Sequence, residues 1–461
     1  MEGKSDRVFV SIRGRVLVNV EALNMTESVG NYVKHRRVPM ISPKTYSVYF
    51  VPAISGESIA HGFQEVLAEE AERRDLRVCD LCKRGIFLKS TTYDVISASF
   101  LKDRQLLDWL NIDNETWNKM LQIKEKKKKD KEERQLIAKF ESQELPFALE
   151  SAIVRDCIVE DVGGFLYAED SFSGFNIGGI KRTSNFYAGY MIPVGEVIEN
   201  VVIEPQLHSR YALGTPFVRR EEEARGQMIY YVELSSAVYT FSFDLDSKYI
   251  GRSTFVYEKA GQEVVDDRKK RIEVTLDSIQ KFLLEFMFGA KRTRFLPVVD
   301  WESLVIAVSD DVWTVPNPNS VNYIERCWKK LEKVNYNTKL FVYINPTIFE
   351  NTSVLVRKRT EELLNSFYEA LEDFKKRLEE KGDKDIIDWE NFKKKKLEEF
   401  LNRRVEELIS SADLNYQGKI QEKYAKMKEL LEEKKTDDIK IYDSFEKCVI
   451  EAIEEAKKRM D

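Results

Sequence analysis

The sequence predicts an α+β protein in which helices lie on one face of a largely antiparallel sheet. Residues 7–21 alternate apolar and polar side chains, and residues 228–243 form a long run rich in Tyr, Val and Phe. Both patterns are typical of strands. Between and after these runs, apolar residues recur every three to four positions behind capping residues, which indicates helices. The resulting order is strand, helix, strands, helix, strand.

The first strand is predicted over Arg7–Glu21. Its valines and isoleucine point to one face, while Arg13, Arg15 and Asn19 point to the other. Because the second face lacks an apolar set, we expect it to be open to solvent or to a polar ligand.

The other elements of the N-terminal region follow from turn and capping signals. Ser55 is a natural N-cap, and Gly289 follows the last periodic position of a helix. Residues 103–145 are predicted as a charged helical insertion, since Gln122–Arg134 contains one apolar residue, Ile123. The predicted elements are the strand Tyr46–Val51, the helix from Ser55 to about Arg74, strands and loops over Ala152–Phe243, the long strand Met228–Phe243, the helix Val274–Phe288 and the strand Ser303–Val308.

The composition changes after residue 346. Residues 351–461 contain 25 bases and 28 acids, and the strand signals end. Apolar residues from Leu364 to Leu378 step by three and four, a spacing typical of a packed helix pair. We therefore predict a separate, charged, all-helical domain over residues 347–461.

Composition excludes several classes of protein. The 461 residues are 43% hydrophobic and 33% charged, which argues against disorder throughout the chain. Stretches without charge reach at most thirteen residues, as in Val312–Ile324, whereas a membrane-spanning helix needs about 18. An odd count of five cysteines and the absence of an apolar leader predict a cytoplasmic protein without membrane partners.

Charge is unevenly distributed along the chain. The net charge of −6 argues mildly against a protein that binds nucleic acid through its overall charge. Three stretches nevertheless contain Lys or Arg without any acid: Asn31–Lys44, Ser171–Ile192 and Phe286–Pro297. These stretches are candidate phosphate-binding surfaces, although surface loops that happen to lack acids would read the same way.

No assembled catalytic or metal site is evident, so we predict no catalytic residue, cofactor or metal. Cys79 and Cys82 form a single C-x-x-C pair, and a structural zinc ion would need two further ligands. Asp244 and Asp246 could hold a hard cation or simply cap a strand edge.

Six motifs in series resemble one known family: the CRISPR Cascade backbone subunits, in particular the archaeal type I-A group of DevR-type autoregulators. The resemblance covers about residues 7–346 and leaves out the C-terminal region and the lysine-rich insertion. The motifs are Val16–Pro39, Val51–Gln64, Val78–Leu88, Ser173–Pro193, Leu207–Gly214 and Gly289–Pro297.

The resemblance implies a modified RNA-recognition-motif (ferredoxin-like) palm over residues 1–346 and a function in antiviral defence. Copies of such a protein form a helical filament along a CRISPR guide RNA, which then pairs with target DNA. A thumb-like hairpin of one copy presses onto its neighbour, and Ser171–Pro193 is assigned to it. Implied partners are the guide RNA, target DNA, further copies of the chain and other Cascade subunits, including a small helical one.

The predicted RNA contacts combine the sheet face, the basic stretches and the start of the first helix. Arginine, lysine and backbone N–H groups suit phosphates, and glycine permits a close approach. The predicted residues are Arg13, Arg15, Asn19, Asn24, Lys34, His35, Arg36, Arg37, Ser55, Gly56, Ser58, His61, Gly178, Gly179, Lys181, Arg182, His208, Arg210, Lys291, Arg292 and Arg294.

Alternatives to these assignments stay open at this point. Arg13 and Arg15 could pair with acids on a neighbouring strand, Arg210 could serve a structural ion pair, and His61 could pack or cap a helix. At the level of function, the alternatives are an RNA endonuclease using His35 or the Asp244 and Asp246 pair, and a structural protein that binds partners through its charged C-terminal helices.

Overall fold

The computed structural model describes residues 7–43, 45–102, 104–199, 201–211, 227–346, 376 and 437–460. The strands are β1 (Phe9–Glu21), β2 (Met25–Val29), β3 (Tyr32–His35), β4 (Arg37–Ile41), β5 (Val48–Pro52), β6 (Phe165–Tyr167), β7 (Ser171–Phe172), β8 (Phe175–Asn176), β9 (Ile180–Arg182), β10 (Phe186–Ala188), β11 (Val202–Tyr211), β12 (Gln227–Asp246), β13 (Val298–Ser309), β14 (Lys339–Ile344) and β15 (Ile439–Tyr442). The α-helices are α1 (Gly56–Arg73), α2 (Tyr93–Phe100), α3 (Leu106–Leu110), α4 (Asn114–Glu125), α5 (Lys131–Lys139), α6 (Leu145–Asp156), α7 (Ile158–Gly163), α8 (Arg268–Glu285), α9 (Tyr323–Leu331) and α10 (Phe445–Lys458).

A nine-stranded sheet forms the centre of the described structure, which confirms the α+β prediction. Its order is β15-β14-β13-β1-β12-β3-β2, and β10 and β11 also pair with β12. β1 lies between β12 and β13 and is antiparallel to both, with Phe9 opposite Asp246 on one side and Ser309 on the other. The predicted strands β1, β12 and β13 are therefore confirmed, and β12 runs three residues beyond its predicted end.

Helices α1, α8 and α10 cover one face of this sheet. Phe63 of α1 lies 5.0 Å from the ring of Phe243 in β12 and 6.1 Å from the ring of Phe282 in α8. Val10 and Ile12 of β1 belong to the same buried cluster. The apolar face of β1 thus forms the main core, as its alternation predicts.

The opposite face of the sheet is also covered, so the prediction of an open face is wrong around β1, β13 and β14. Alternate residues of β13 and β14 join a second buried cluster with Trp313 and helix α9. In β1, Phe9, Ser11 and Arg15 are buried on this side, and Ser11 Oγ accepts a hydrogen bond from Val315 N. The sequence between 310 and 331 carried no signal strong enough to predict this covering layer.

The insertion is helical, as predicted, but consists of separate helices. Helix α4 ends at Glu125, and α5 begins after Asp130, which forms a capping box with Glu133. Residues 152–163, predicted as strand and loop, belong instead to α6 and α7. Both helices are almost wholly buried, and a helix that is apolar on all sides loses the periodic signal on which the prediction depended.

The segment Ser171–Pro193 does not project as a hairpin. β7 and β8 form a two-residue hairpin, β9 pairs with β6, and β10 pairs with β12. Phe172, Phe175 and Phe186 are buried in the main core. This segment therefore packs on the body of the protein, and the prediction that it is the thumb-like element is wrong.

Residues 437–460 share the central sheet and the main core with the N-terminal part of the chain and do not form a separate helical domain. β15 pairs in parallel with β14, with Leu340 opposite Ile439. Helix α10 buries Val449 and Ile453 against β13, β14 and α8. The predicted boundary at residue 346 is wrong for this segment, while the apolar repeat from Leu364 to Leu378, on which the helical prediction rests, has its apolar positions outside the described residues. Nowhere in the described part of the chain is a helix both long and apolar enough to cross a bilayer.

Candidate nucleic-acid interface

The three acid-free stretches meet around Leu23 and Asn24, at the end of β1. Arg36 N donates to Asn24 O (2.9 Å), and Ala290 N donates to Leu23 O (2.8 Å). Asn24 Oδ1 accepts from Ser55 N (2.9 Å), next to Ile54, which exchanges backbone hydrogen bonds with Met191. We call this meeting point the Asn24 junction. It joins segments more than 260 residues apart in sequence, as the numbers of Leu23 and Ala290 show.

The cationic loop Lys291–Arg294 leaves this junction. Arg294 N and Phe295 N both donate to Lys291 O, and Lys291 has a φ of 55°. Lys291 and Arg294 are exposed and Arg292 is half-buried. Across the described residues, these three side chains form no ion pair. Three cations held on one turn without acidic partners are available to an anionic ligand.

The β11–β12 ribbon lies beside the cationic loop. The His208 ring of β11 stacks on Tyr230 of β12 (5.3 Å) and meets the edge of Phe295 (5.1 Å). On the opposite face of the ribbon, Leu207 and Ile229 are exposed. His208 is thus anchored against the loop, whereas Arg210 lies on β11 with its side chain outside the described atoms. The sequence did not predict the contact between this ribbon and Phe295.

Arg13 and Arg15 form ion pairs with acidic side chains, as the alternative interpretation of the sequence predicted. Arg13 forms a bidentate pair with Asp244 (2.7 and 2.8 Å). The Arg15 side chain is fully buried against Glu302 (2.8 Å) and Glu196 (3.2 Å). Because both guanidiniums are neutralised, we withdraw them as RNA contacts. Asn19 remains half-buried beside the bulge that follows Val18.

Arg182 is also an interior residue, and its prediction as an RNA contact is withdrawn. Its guanidinium pairs with Glu150 (3.0 Å) and Asp161 (2.5 Å), and all three side chains are fully buried. Lys181, its neighbour on β9, points outwards and is exposed. Gly178 and Gly179 have φ values of 66° and 75°, which explains the glycines by backbone conformation alone.

The basic residues that follow β2 also differ in how exposed they are and in whether an acid holds them. Lys34 pairs with Glu27 (3.1 Å) at the surface, and a surface pair of this kind contributes little to stability and is easily exchanged for phosphate. Arg37 is about half exposed, but its partner Glu233 (2.7 Å) is buried and also accepts from the Tyr32 hydroxyl, so this pair is fixed more firmly. Arg36 is half-buried and contacts the Asn24 junction through its backbone.

His35 is buried and cannot reach a ligand, so it is withdrawn both as an RNA contact and as a nuclease residue. Its Nε2 lies 2.5 Å from Glu21 Oε1, which also accepts from the Tyr239 hydroxyl (2.9 Å). Burial opposes the charged imidazolium, but the hydrogen bonds to Glu21 and to Arg36 O, together with the charges of Glu21 and Glu233, outweigh it and raise the pKa of His35. Glu21 Oε2 in turn accepts from Leu23 N, so this cluster holds the Asn24 junction in place.

The start of α1 is closed to a phosphate. Ser55 caps the helix by accepting from Ser58 N. A Cβ atom on Gly56 would lie 2.3 Å from Ala188 O, so the first turn packs directly on the end of β10. His61 is exposed and lies near Glu65 (3.3 Å) and Phe87. The roles of Ser55, Gly56 and Ser58 are therefore structural. For Ser55, the capping pattern in the sequence had already indicated such a role.

The acids of the nuclease alternative are neutralised. Asp244 is occupied by Arg13, and Asp246 binds Arg7 through both carboxylate oxygens (2.9 and 2.7 Å). In the part of the chain that the structure describes, the one grouping of potential metal ligands contains neither residue. The geometry gives this alternative no support.

That grouping consists of Cys79, Cys82 and Cys157, whose sulfur atoms all lie within 4.8 Å of one another. All three are buried, and Cys82 Sγ donates to Glu160 Oε1 (2.9 Å). Hydrogen bonding within the group, first of all with Cys157, lowers the pKa of Cys79, and burial raises the pKa of Glu160 to about 7. Sequence reasoning missed Cys157 and Glu160 because they follow the C-x-x-C pair by some 75 residues and carry no motif.

Comparison with known proteins assigns the family. The model described as CRISPR-associated negative auto-regulator DevR/Csa2 matches residues 12–327. In Saccharolobus solfataricus, CRISPR-associated protein Cas7/Csa2 1 is 31% identical over 319 residues, which cover 68% of this chain and 84% of that protein. CRISPR-associated aCascade subunit Cas7/Csa2 2 of the same organism is 32% identical over 363 residues, covering 76% and 96%.

A solved chain from a pre-nicking CRISPR RNA-guided surveillance complex aligns at 10% identity over 73% of this chain and 92% of that one. Its TM-score of 0.38 is too low to establish a common fold. The match to the family model and the two relatives are sufficient by themselves: this chain belongs to the CRISPR-associated DevR/Csa2 family.

Proposed function

We propose that this protein is a guide-RNA-binding backbone subunit of a Cascade-type antiviral complex, and that it breaks no covalent bond. The observation that carries the proposal is the cationic loop Lys291–Arg294, which presents at the Asn24 junction three cations that form no ion pair with any acid among the described residues. Membership of the DevR/Csa2 family and the printed name of one relative, an aCascade subunit, agree with it.

The connection order supports an RNA-recognition-motif-like palm. The order β1, α1, β11, β12, α8, β13 along the chain, with β13-β1-β12-β11 in the sheet, is the split βαββαβ arrangement of ferredoxin-like folds. In this fold the guide would not lie on the sheet beside Arg13 and Arg15, because that face is covered. We place its phosphates along the cationic loop, near Arg36, which contacts the Asn24 junction, and His208, which contacts Phe295.

The thumb-like role passes from Ser171–Pro193 to the β11–β12 ribbon. Ten residue pairs from Val202 to Tyr211 hold this ribbon in register against β12. One face is anchored on the cationic loop through His208 and Phe295, and the other exposes Leu207 and Ile229. We propose that this apolar face meets a second copy of the chain, so that copies follow one another along the guide.

The partners of this protein are part of the same proposal. Target DNA would be bound through pairing with the guide, and other Cascade subunits, including a small helical one, would bind the assembled filament. We expect the charged residues between 351 and 434 to provide one such contact.

The wild-type protein tests the proposal directly. Protein purified gently should carry RNA of defined length with repeat-derived ends, and should assemble on such RNA into particles containing several copies. With Mg²⁺ present, the labelled RNA should remain full length. A protein that stays monomeric and binds no repeat-derived RNA at moderate salt, or one that cleaves the RNA, would contradict it.

A further inference from the structure

Three cysteines that are dispersed in sequence converge in the interior. Cys79 and Cys82 lie on the turn after α1, and Cys157 lies between α6 and α7. Ile158 N donates to Arg77 O (3.0 Å), which holds the two segments side by side. The other two cysteines, Cys327 and Cys448, are buried elsewhere and do not join the group.

The backbone around the pair has the form of a metal-binding turn. Lys83 N donates to Cys79 O and Gly85 N donates to Cys82 O, and Gly85 closes the turn with a φ of 71°. Cys82 N points at Cys79 Sγ (3.5 Å). An N–H group directed at sulfur stabilises a thiolate, which is the form that binds metal ions.

Glu160 lies beside this group and is the candidate for a fourth ligand, through its contact with Cys82. Its Oε1 is bound by Cys82 Sγ and by Leu88 N (2.9 Å each), while its Oε2 is buried and has no hydrogen-bond partner among the described atoms. The side chain is fully buried. A buried carboxylate oxygen without a partner is costly, and it is therefore a sign of an additional ligand.

We propose that Cys79, Cys82, Cys157 and Glu160 bind a structural zinc ion. Tetrahedral coordination by three sulfurs with bonds of about 2.3 Å places the sulfurs roughly 3.8 Å apart, which is compatible with sulfur atoms that all lie within 4.8 Å of one another. Thiolates favour zinc over magnesium or calcium, and four protein ligands with no open position are typical of a structural site.

The ion would join the turn after α1 to the α6–α7 junction. Three thiolates and one carboxylate around a divalent ion leave two net negative charges, and the Lys89 ammonium, which interacts with Glu160, offsets one of them. The same turn carries Lys83 and Arg84, which line a cavity of about 620 Å³ together with Arg292 of the cationic loop. The site would thereby fix the shape of the wall beside that loop.

Metal analysis of the full-length protein, purified without chelators, tests the site. We expect one equivalent of zinc per chain. Cobalt-substituted protein should show the visible bands of tetrahedral Co²⁺ and a sulfur-to-cobalt charge-transfer band. Glu160→Gln should shift the visible bands and keep the charge transfer, and Cys327→Ser, a buried cysteine outside the group, should change neither.

Three results would overturn the proposal: wild-type protein without bound metal, a disulfide between any two of the three cysteines, or full zinc content in Cys157→Ser. If Cys157→Ser fails to fold, the metal content and cobalt spectrum of the wild-type protein decide. An unchanged cobalt spectrum in Glu160→Gln would reject Glu160 as the fourth ligand.

Discussion

Arg13, Arg15 and Arg182 are neutralised by acids that come from distant parts of the chain. The partner of Arg13 follows it by more than 230 residues, and Arg15 and Arg182 reach their acids only because separate elements pack together. An arginine on an otherwise polar strand face therefore does not by itself indicate a ligand surface. It can equally mark a face that another layer of the protein covers.

Lys181 and Arg182 are adjacent in sequence but differ completely in environment. Replacing Arg182 with Ala leaves Glu150 and Asp161 buried with their main cation removed, which should cost about 3–5 kcal/mol of unfolding free energy. Lys181→Ala, the matched surface control, should change it by less than about 0.5 kcal/mol. Urea unfolding of both variants measures this difference, and equal stabilities would show that the buried network is not formed.

The pair of His35 and Glu21 predicts a pH-dependent stability. The raised pKa of His35 means that the folded protein binds the proton more tightly than the unfolded chain does. The stabilisation is complete below the unfolded pKa of about 6.5 and is lost as the pH rises through the higher folded value.

Thermal unfolding across this range therefore tests the pair. The melting temperature of the wild type should exceed that of His35→Gln most at low pH, and the gap should narrow in alkaline solution. A gap that widens with pH would mean that His35 is neutral in the folded protein.

At the scale of elements, local sequence patterns predicted well where several strands and helices lie. They predicted poorly which elements pack against one another. β12 and α1 were located from the aromatic and β-branched run and from the Ser55 cap. What the segment Ser171–Pro193 packs against could not be predicted, because glycines and aromatics suit both a mobile loop and a tightly packed one. The burial of Phe172 and Phe175 decides between them.

The cationic loop was found as a basic stretch, whereas its neighbours were not. The contact between Phe295 and His208 joins a loop and a strand 87 residues apart, with no complementary charge or motif to reveal it. Of the predicted RNA contacts, the structure therefore supports best the cationic loop, which was recognisable in the sequence as a basic stretch without acids.

The exposed face of the β11–β12 ribbon makes a prediction about assembly. Replacing Leu207 and Ile229 with Asp should leave RNA binding by single copies within a few-fold of wild type, but should prevent formation of multi-copy particles, because charges are costly in an apolar contact. Val312→Asp, which alters an equally exposed apolar side chain on another loop, is the control. Analytical ultracentrifugation on RNA distinguishes the outcomes, and normal particles in the double variant would remove the ribbon from the contact.

At the scale of the whole molecule, residues distant in sequence share one sheet and one core. β15 and α10, which follow residue 436 in the chain, complete the sheet and the main core formed by the residues before 347. Sequence composition placed the boundary at residue 346 because charge density rises there, but the short apolar stripe of α10 belongs to the same core as β1 and α8. The charge composition of a segment indicates how much of it is exposed to solvent. It does not indicate which hydrophobic core its apolar residues join.

This organisation predicts opposite results for two deletions. Removing residues 347–461 also removes buried Ile439, Val449 and Ile453, each contributing about 2 kcal/mol, and should leave an aggregating protein. Replacing residues 351–434 with a flexible linker of about 15 residues, long enough for a parallel crossover, should give a folded protein that still binds RNA. Circular dichroism and RNA binding measure both, and a stable protein ending at residue 346 would contradict the observed role of α10.

The central claim is that an RNA backbone binds at the cationic loop, and one comparison of affinities tests it most directly. The loop variant combines Lys291→Asn, chosen because Asn tolerates the positive φ, with Arg292→Gln and Arg294→Gln. The control removes the same charge from the insertion, through Lys127→Gln, Lys128→Gln and Lys131→Gln, all exposed.

Fluorescence anisotropy with repeat-derived RNA, repeated over a range of salt concentrations, gives the affinity and its salt dependence. The loop variant should bind at least about tenfold more weakly, with the slope of log affinity against log salt reduced by about 2, while the control stays near wild type. Equal losses in both variants, or no loss in the loop variant, would contradict the account.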